Sequence, residues 1–284
     1  MSRGEYERKP PKRQGGGIRN ICLFALFGVL FLIGAVMSAR TIQDRRSAQT
    51  AYDSLRVSRQ IVMTVKSDPP ATLPEPEETI PAETEPQEET QPQIAVSMDF
   101  APLQQINPEI KAWLFAEGMK IDYPILQADN NTYYLNHLYT GQVNGSGSLF
   151  MDYRNDGSFA QRNTVIYGHH MKNGTMLGEL TRYKSQKFYE EHPTMLLYTP
   201  DGDYTLELIS GTVEDGNYEF VAFDFPQESD FTEYVERFRS RSTFRSDVPI
   251  EDGDRLVSLC TCSYETENAR YMVIGRLVPV MQQE

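Results

Sequence analysis

Residues 68–93, DPPATLPEPEETIPAETEPQEETQPQ, hold seven prolines and eight acidic residues and almost no large apolar side chain. Such a stretch cannot bury enough surface to offset the entropy lost on ordering it, and its like charges keep it extended. It therefore divides this chain of 284 residues in two. The part before it contains residues 21–39, ICLFALFGVLFLIGAVMSA, a run of 19 residues without a charge. As a helix rising about 1.5 Å per residue, that run spans roughly the 30 Å hydrocarbon core of a bilayer.

Six basic residues, Arg3, Arg8, Lys9, Lys12, Arg13 and Arg19, precede the run. The positive-inside rule then places the N-terminus in the cytoplasm and the rest of the chain outside, although Arg40, Arg45 and Arg46 on the far side work against it. A cleaved signal peptide is the competing reading. The run exceeds the usual apolar core of such peptides and no A-x-A site ends it, so an uncleaved membrane anchor is expected. Residues 42–66 lack Gly and Pro and predict a helix continuing from the anchor. The expected organisation is a basic cytoplasmic tail (1–17), a transmembrane anchor (18–39), a juxtamembrane helix (40–67), the Pro/Glu-rich spacer (68–95) and a folded domain (96–284).

Charge follows the same division. Residues 1–67 carry 12 basic and 4 acidic side chains, whereas residues 99–284 carry 15 and 28, which makes the folded part acidic. Phosphate backbones repel such a domain, so nucleic acid is a poor partner.

Within 96–284, short β-branched and aromatic runs alternate with turn residues. They predict strands at 120–127, 148–154, 163–169, 194–199, 204–213, 255–262 and 271–280, which argues for a barrel or sandwich. The clearest helix is 230–241, where Phe231, Tyr234, Val235 and Phe238 share one face and Asp230 is a candidate N-cap. Shorter helices are expected at 108–114, 130–136 and 184–191.

Three cysteines are present: Cys22 inside the apolar run, and Cys260 and Cys262 two apart in a strand. Side chains at i and i+2 of a strand lie beyond disulfide reach, so an exported chain with no disulfide framework carries thiols kept for reactivity. A nucleophilic thiol needs an acid–base partner and a donor for the developing oxyanion. His169 ends the strand NTVIYGH directly after Gly168; His137 and His192 sit in polar, helix-like settings. RLVSLCTC ends at Cys262, and Arg270 opens the next strand after a connection short enough for a hairpin. Read alone, His169 is better explained by a structural role, and Arg270 is open to surface pairing with Glu265 or Glu267.

The segment Ser258-Leu259-Cys260-Thr261-Cys262, followed by Arg270, resembles the sortase signature Thr-Leu-x-Thr-Cys with its downstream arginine. NTVIYGHHMKNGTMLGEL resembles the histidine segment of class B sortases, commonly VIYGHNM; KIDYPILQ, YYLNH and GSLFMDYRND are similar to that class as well, so the likeness covers 107–280. Two departures stand out: Ser258 replaces the usual Thr, and His170 stands where Asn is usual. The resemblance implies a closed eight-stranded β-barrel with peripheral helices. It also implies a cysteine transpeptidase in which His169, Cys262 and Arg270 are catalytic and Thr261 contacts substrate. The partners implied are secreted proteins bearing a C-terminal sorting signal and an amine of peptidoglycan; neither cofactor nor metal is expected. Three rival readings are weaker. A papain-like wall hydrolase would place Cys before His, a zinc site lacks ligand spacing, and a non-catalytic tethered barrel would leave Cys262 unreactive.

Overall fold

The computed structural model describes residues 17–65, 98–217, 219–263 and 265–280. The N-terminal tail, the spacer and the side chain of Cys22 lie outside the described residues. The chain divides into two compact units, Met1–Arg46 and Ser47–Glu284. Helix α1 (Gly17–Val65) supplies the described part of the first unit, where Phe24, Phe27, Leu30, Phe31 and Ile33 are all exposed. A helix apolar on every side and uncovered by protein has the composition of a membrane span.

In the second unit eight strands close into a barrel: β1 (Ile110–Phe115), β2 (Asp122–Leu126), β3 (Leu149–Met151), β4 (Asn163–Tyr167), β5 (Thr194–Thr199), β6 (Gly202–Asp215), β7 (Leu256–Cys262) and β8 (Ala269–Pro279). Their order around the wall is β1-β2-β3-β4-β7-β8-β6-β5. β7 and β8 form the hairpin expected from their short connection, while β4 and β7 are parallel neighbours. Parallel neighbours need a long crossover, and β5, β6 and a helical excursion fill it.

Strand alternation sorts side chains between two cores. Val257, Leu259, Tyr271 and Val273 face the barrel interior with Trp113, Ile125 and Leu197. Leu256, Met272, Ile274 and Ile209 face outward beneath α4 (Glu228–Arg239), whose Phe231, Tyr234, Val235 and Phe238 cover them. That is the apolar face expected from the 3.6-residue period, and each buried aromatic contributes about 2–3 kcal/mol by leaving water.

Three local expectations are corrected. Residues 110–115 form β1, not a helix, and the helix nearby is α2 (Ala101–Ile106). Residues 130–136 contain only the 3-10 turn Tyr133–Leu135. Asp230 is not the N-cap: Gln227 is, and Asp230 sits at N3, returning a hydrogen bond to the Gln227 backbone in a capping box. A further helix, α3 (Gln186–Glu191), lies within the expected 184–191.

The second unit begins inside α1. Tyr52 and Leu55 are each 2% exposed against the barrel. The Tyr52 hydroxyl donates to the Gly147 carbonyl (3.0 Å), and Arg56 Nε donates to the Asp122 carbonyl (3.0 Å).

Candidate active site

β7 carries its cysteines to the end of the wall. Outward parity places Cys260 and Cys262 with Leu256 and Ser258, and Arg270 with Met272 and Ile274. Cys262 and Arg270 are direct partners in the β7–β8 ladder. Both are half-buried, whereas Cys260 is 1% exposed. Both cysteines are free. Burial pushes the Cys260 thiol up to about 12, with the Arg270 charge opposing, so at neutral pH Cys260 stays protonated and is no nucleophile.

β4 runs beside β7 with Tyr167 opposite Cys260. The contact continues past the strand end: the Gly168 N–H donates to the Cys260 carbonyl (3.1 Å), and Thr261 Oγ1 donates to the Gly168 carbonyl (2.8 Å). A Cβ at Gly168 would lie 2.4 Å from Leu149 Cδ2 and 2.8 Å from Leu177 Cγ, so only glycine lets the chain pass here. These bonds hold the backbone of His169 alongside Thr261 and Cys262.

The His169 ring is oriented by a different group. Its Nε2 lies 2.8 Å from the Leu135 carbonyl, and because a carbonyl only accepts, Nε2 carries a proton and Nδ1 is the other ring nitrogen, not held by that bond. The next residue reaches β7 directly: His170 Nδ1 donates to the Cys262 carbonyl at 3.1 Å. That use of residue 170 was not legible in the sequence, because it depends on a strand 92 residues away.

Arg270 Nη1 donates to the carbonyls of Asn268 and Ala269, both at 3.1 Å. Among the described residues it pairs with no carboxylate. Glu265, the suggested surface partner, instead meets Lys184 and Ser263. Lys184 also sits 5.0 Å over the Tyr271 ring, fastening the turn that follows Cys262. Hydrogen bonds from Lys184 and then Ser263 hold the Glu265 carboxyl at about 2 against an ordinary 4.5. A depressed folded pKa contributes stability that is complete above the unfolded value and disappears as pH falls through the folded one. The difference in denaturation midpoint between wild type and Glu265→Gln is therefore expected to be constant above pH 5 and to close between about pH 4.5 and 2. Lys184 and Glu265 are 34% and 40% exposed, so the difference stays under about 1 kcal/mol. Chemical denaturation over that pH range measures it.

Beside these groups opens a cavity of about 330 Å³, lined by Arg154, Tyr167, Gly216, Asn217, Glu219, Phe220, Val221, Cys260 and Arg270. Its outer wall comes from the segment after β6. Ser258, which departs from the usual Thr, keeps its hydroxyl at work: Oγ donates to Asn163 Oδ1 at 2.9 Å and ties β7 to β4.

A thiol paired across a ladder with a guanidinium that meets no carboxylate among the described residues, next to a strand end bearing a histidine, can form and stabilise an acyl-enzyme. The sortase domain family model matches residues 114–278. The chain belongs to the sortase family. Sortase B of Listeria monocytogenes is 35% identical over 178 residues, covering 62% of this chain and 72% of that protein. Sortase B of Staphylococcus aureus is 31% identical over 187 residues, covering 65% and 77%. The crystal structure of S. aureus sortase B superposes with a TM-score of 0.61 at 30% identity, covering 64% of this chain and 87% of that one. A sortase B-like protein of Bacillus anthracis gives 0.60 at 36% identity, with 64% and 83% covered. This sortase is thus a cysteine transpeptidase on a closed eight-stranded barrel, and enzymes of its family act on proteins that carry sorting signals.

Proposed function

We propose that Cys262 attacks the carbonyl of a threonine in a C-terminal sorting signal. The new S–C bond makes a thioester, the Thr C–N bond breaks, and the departing amine takes a proton from His169. With Nε2–H held by the Leu135 carbonyl, the proton delivered is the one that Nδ1 takes from the Cys262 thiol as the thiolate forms. An amine of a peptidoglycan precursor or cross-bridge then attacks the thioester: the new C–N bond forms, the C–S bond breaks, and the amine's proton passes through His169 to the Cys262 sulfur. Arg270 and nearby backbone N–H groups hold the oxyanion and orient the peptide, each donor being worth about 3 kcal/mol.

The observation that carries this reading is the ladder pairing of Cys262 with an arginine that, among the described residues, no carboxylate neutralises. Solved relatives lend support: S. aureus sortase B has been crystallised with a substrate, and a sortase B with triglycine. Thr261, expected to touch substrate, is 2% exposed and spends its hydroxyl on Gly168; its surroundings favour a role in holding β4 against β7. We further read residues 18–39 as the membrane anchor, the N-terminus as cytoplasmic, 40–67 as the juxtamembrane helix, 68–95 as a stalk and 96–284 as the catalytic domain reaching the wall of a Gram-positive cell.

The test is a panel of fluorescent peptides varying the sorting signal, incubated with the full chain in detergent micelles, with and without an amine acceptor. Mass spectrometry should find the acyl group on Cys262 and the amine in the product. A thioester on Cys260, or none with any peptide, overturns the proposal.

A further inference from the structure

Asp152, just past β3, has a side chain with no exposed surface. A buried carboxylate is costly unless its lone pairs are met, and here five donors meet them. Oδ1 accepts from the Arg154 backbone N–H and from Arg154 Nε, both at 3.0 Å. Oδ2 accepts from Arg154 Nη2 at 2.9 Å, Asn131 Nδ2 at 3.0 Å and the Tyr167 hydroxyl at 3.1 Å. Burial works to raise the Asp152 pKa, but the Arg154 bonds outweigh it and the carboxyl stays below its ordinary range.

The donors come from segments far apart in sequence, and two of them, Arg154 and Tyr167, line the cavity beside Arg270. The free arm of Arg154 reaches outward: Nη1 donates to Glu219, and the guanidinium lies 4.5 Å over the Phe223 ring. Glu219 is 64% exposed and belongs to the segment forming the cavity's outer wall. An exposed pair of this kind adds little to stability; what it does is fix where the segment sits.

We propose that Asp152 is a positioning residue for the peptide substrate, holding Tyr167 on one side of the cavity and, through Arg154 and Glu219, the 216–223 segment on the other. This rests on the transpeptidase reading above for the identity of the ligand, but not for the existence of the clasp. The groups it orients touch the peptide, while the attacking thiol of Cys262 is not among the residues that line this cavity. Loss of the clasp therefore weakens binding of ground and transition states alike, which raises KM and spares kcat.

The experiment uses the full chain in micelles, as wild type, Asp152→Asn and Glu219→Gln. Three quantities are read: KM and kcat for a cleaved sorting peptide, amide hydrogen exchange across 216–223, and the rate of Cys262 alkylation by iodoacetamide. Loss of hydrogen bonds to charged groups should raise KM about tenfold in Asp152→Asn and about threefold in Glu219→Gln, with kcat within about twofold. Exchange at 216–223 should accelerate in both, and alkylation should not change. Unchanged exchange and KM in Glu219→Gln overturn the clasp. So does a fall in kcat with alkylation slowed in parallel, which would mean that Asp152 acts on the thiol. Should Asp152→Asn fail to fold, the exposed Glu219→Gln decides alone. If wild type cleaves no peptide, the functional reading falls while hydrogen exchange still judges the clasp.

Discussion

Cys262→Ala is expected to abolish thioester formation and transpeptidation, a loss of at least about 10⁴-fold, because Cys262 is half-open at the strand end whereas Cys260 is buried. Cys260→Ala should retain most of the activity. The two thiols share a strand face and differ by one turn of the pleat, yet their environments are opposed. Cys260 is 1% exposed with its thiol pushed up to about 12, whereas Cys262 is half-open at the strand end. Removing the Cys260 sulfur leaves a small void, costing about 1 kcal/mol of stability and little chemistry. Intact-mass detection of the acyl-enzyme separates the two variants in one measurement. An acyl group surviving in Cys262→Ala would show that the nucleophile had been misassigned.

Arg270→Ala is expected to lower kcat/KM by about 10²–10³, the usual cost of deleting one donor to a developing oxyanion. Lysine should rescue only part of this loss, since a single ammonium cannot both hold the turn carbonyls and aim at a second point as a planar fork does. Arg270 Nη1 is committed to the carbonyls of Asn268 and Ala269, which leaves the rest of the guanidinium for substrate. A second variant moves the group without deleting it. A Cβ at Gly216 would stand 3.2 Å from Arg270 Cζ and 2.6 Å from the Asn268 carbonyl oxygen. Gly216→Val must therefore displace the guanidinium or the turn that holds it. It should lose about tenfold or more in kcat/KM while the melting temperature falls only slightly. Single-turnover kinetics on both variants would check whether acylation is the step affected; full activity in Arg270→Ala would remove it from the mechanism.

Much of the architecture was legible because it is local. The four apolar residues of α4 recur at helical spacing, and that spacing alone made them one face. The hairpin of β7 and β8 follows from a short polar connection between two alternating strands. The failures were local too. IKAWLF is a short apolar run with no clear period, and its pairing with β2 and β5 made it a strand. Asp230 had the right chemistry for an N-cap but stands three residues inside, where it completes the box begun by Gln227.

The site divides the same way. Residue order and strand alternation determined that a thiol, a guanidinium and a histidine stand at the ends of three strands, and that Cys260 and Cys262 look to the same side. They could not determine that β4 lies parallel to β7, that Leu135 orients His169 while His170 reaches the Cys262 backbone, or that Asp152 gathers donors from distant segments. The period of a strand is a property of its own backbone, whereas burial, ring orientation and the filling of a carboxylate's lone pairs are set by groups that only the closed barrel brings near.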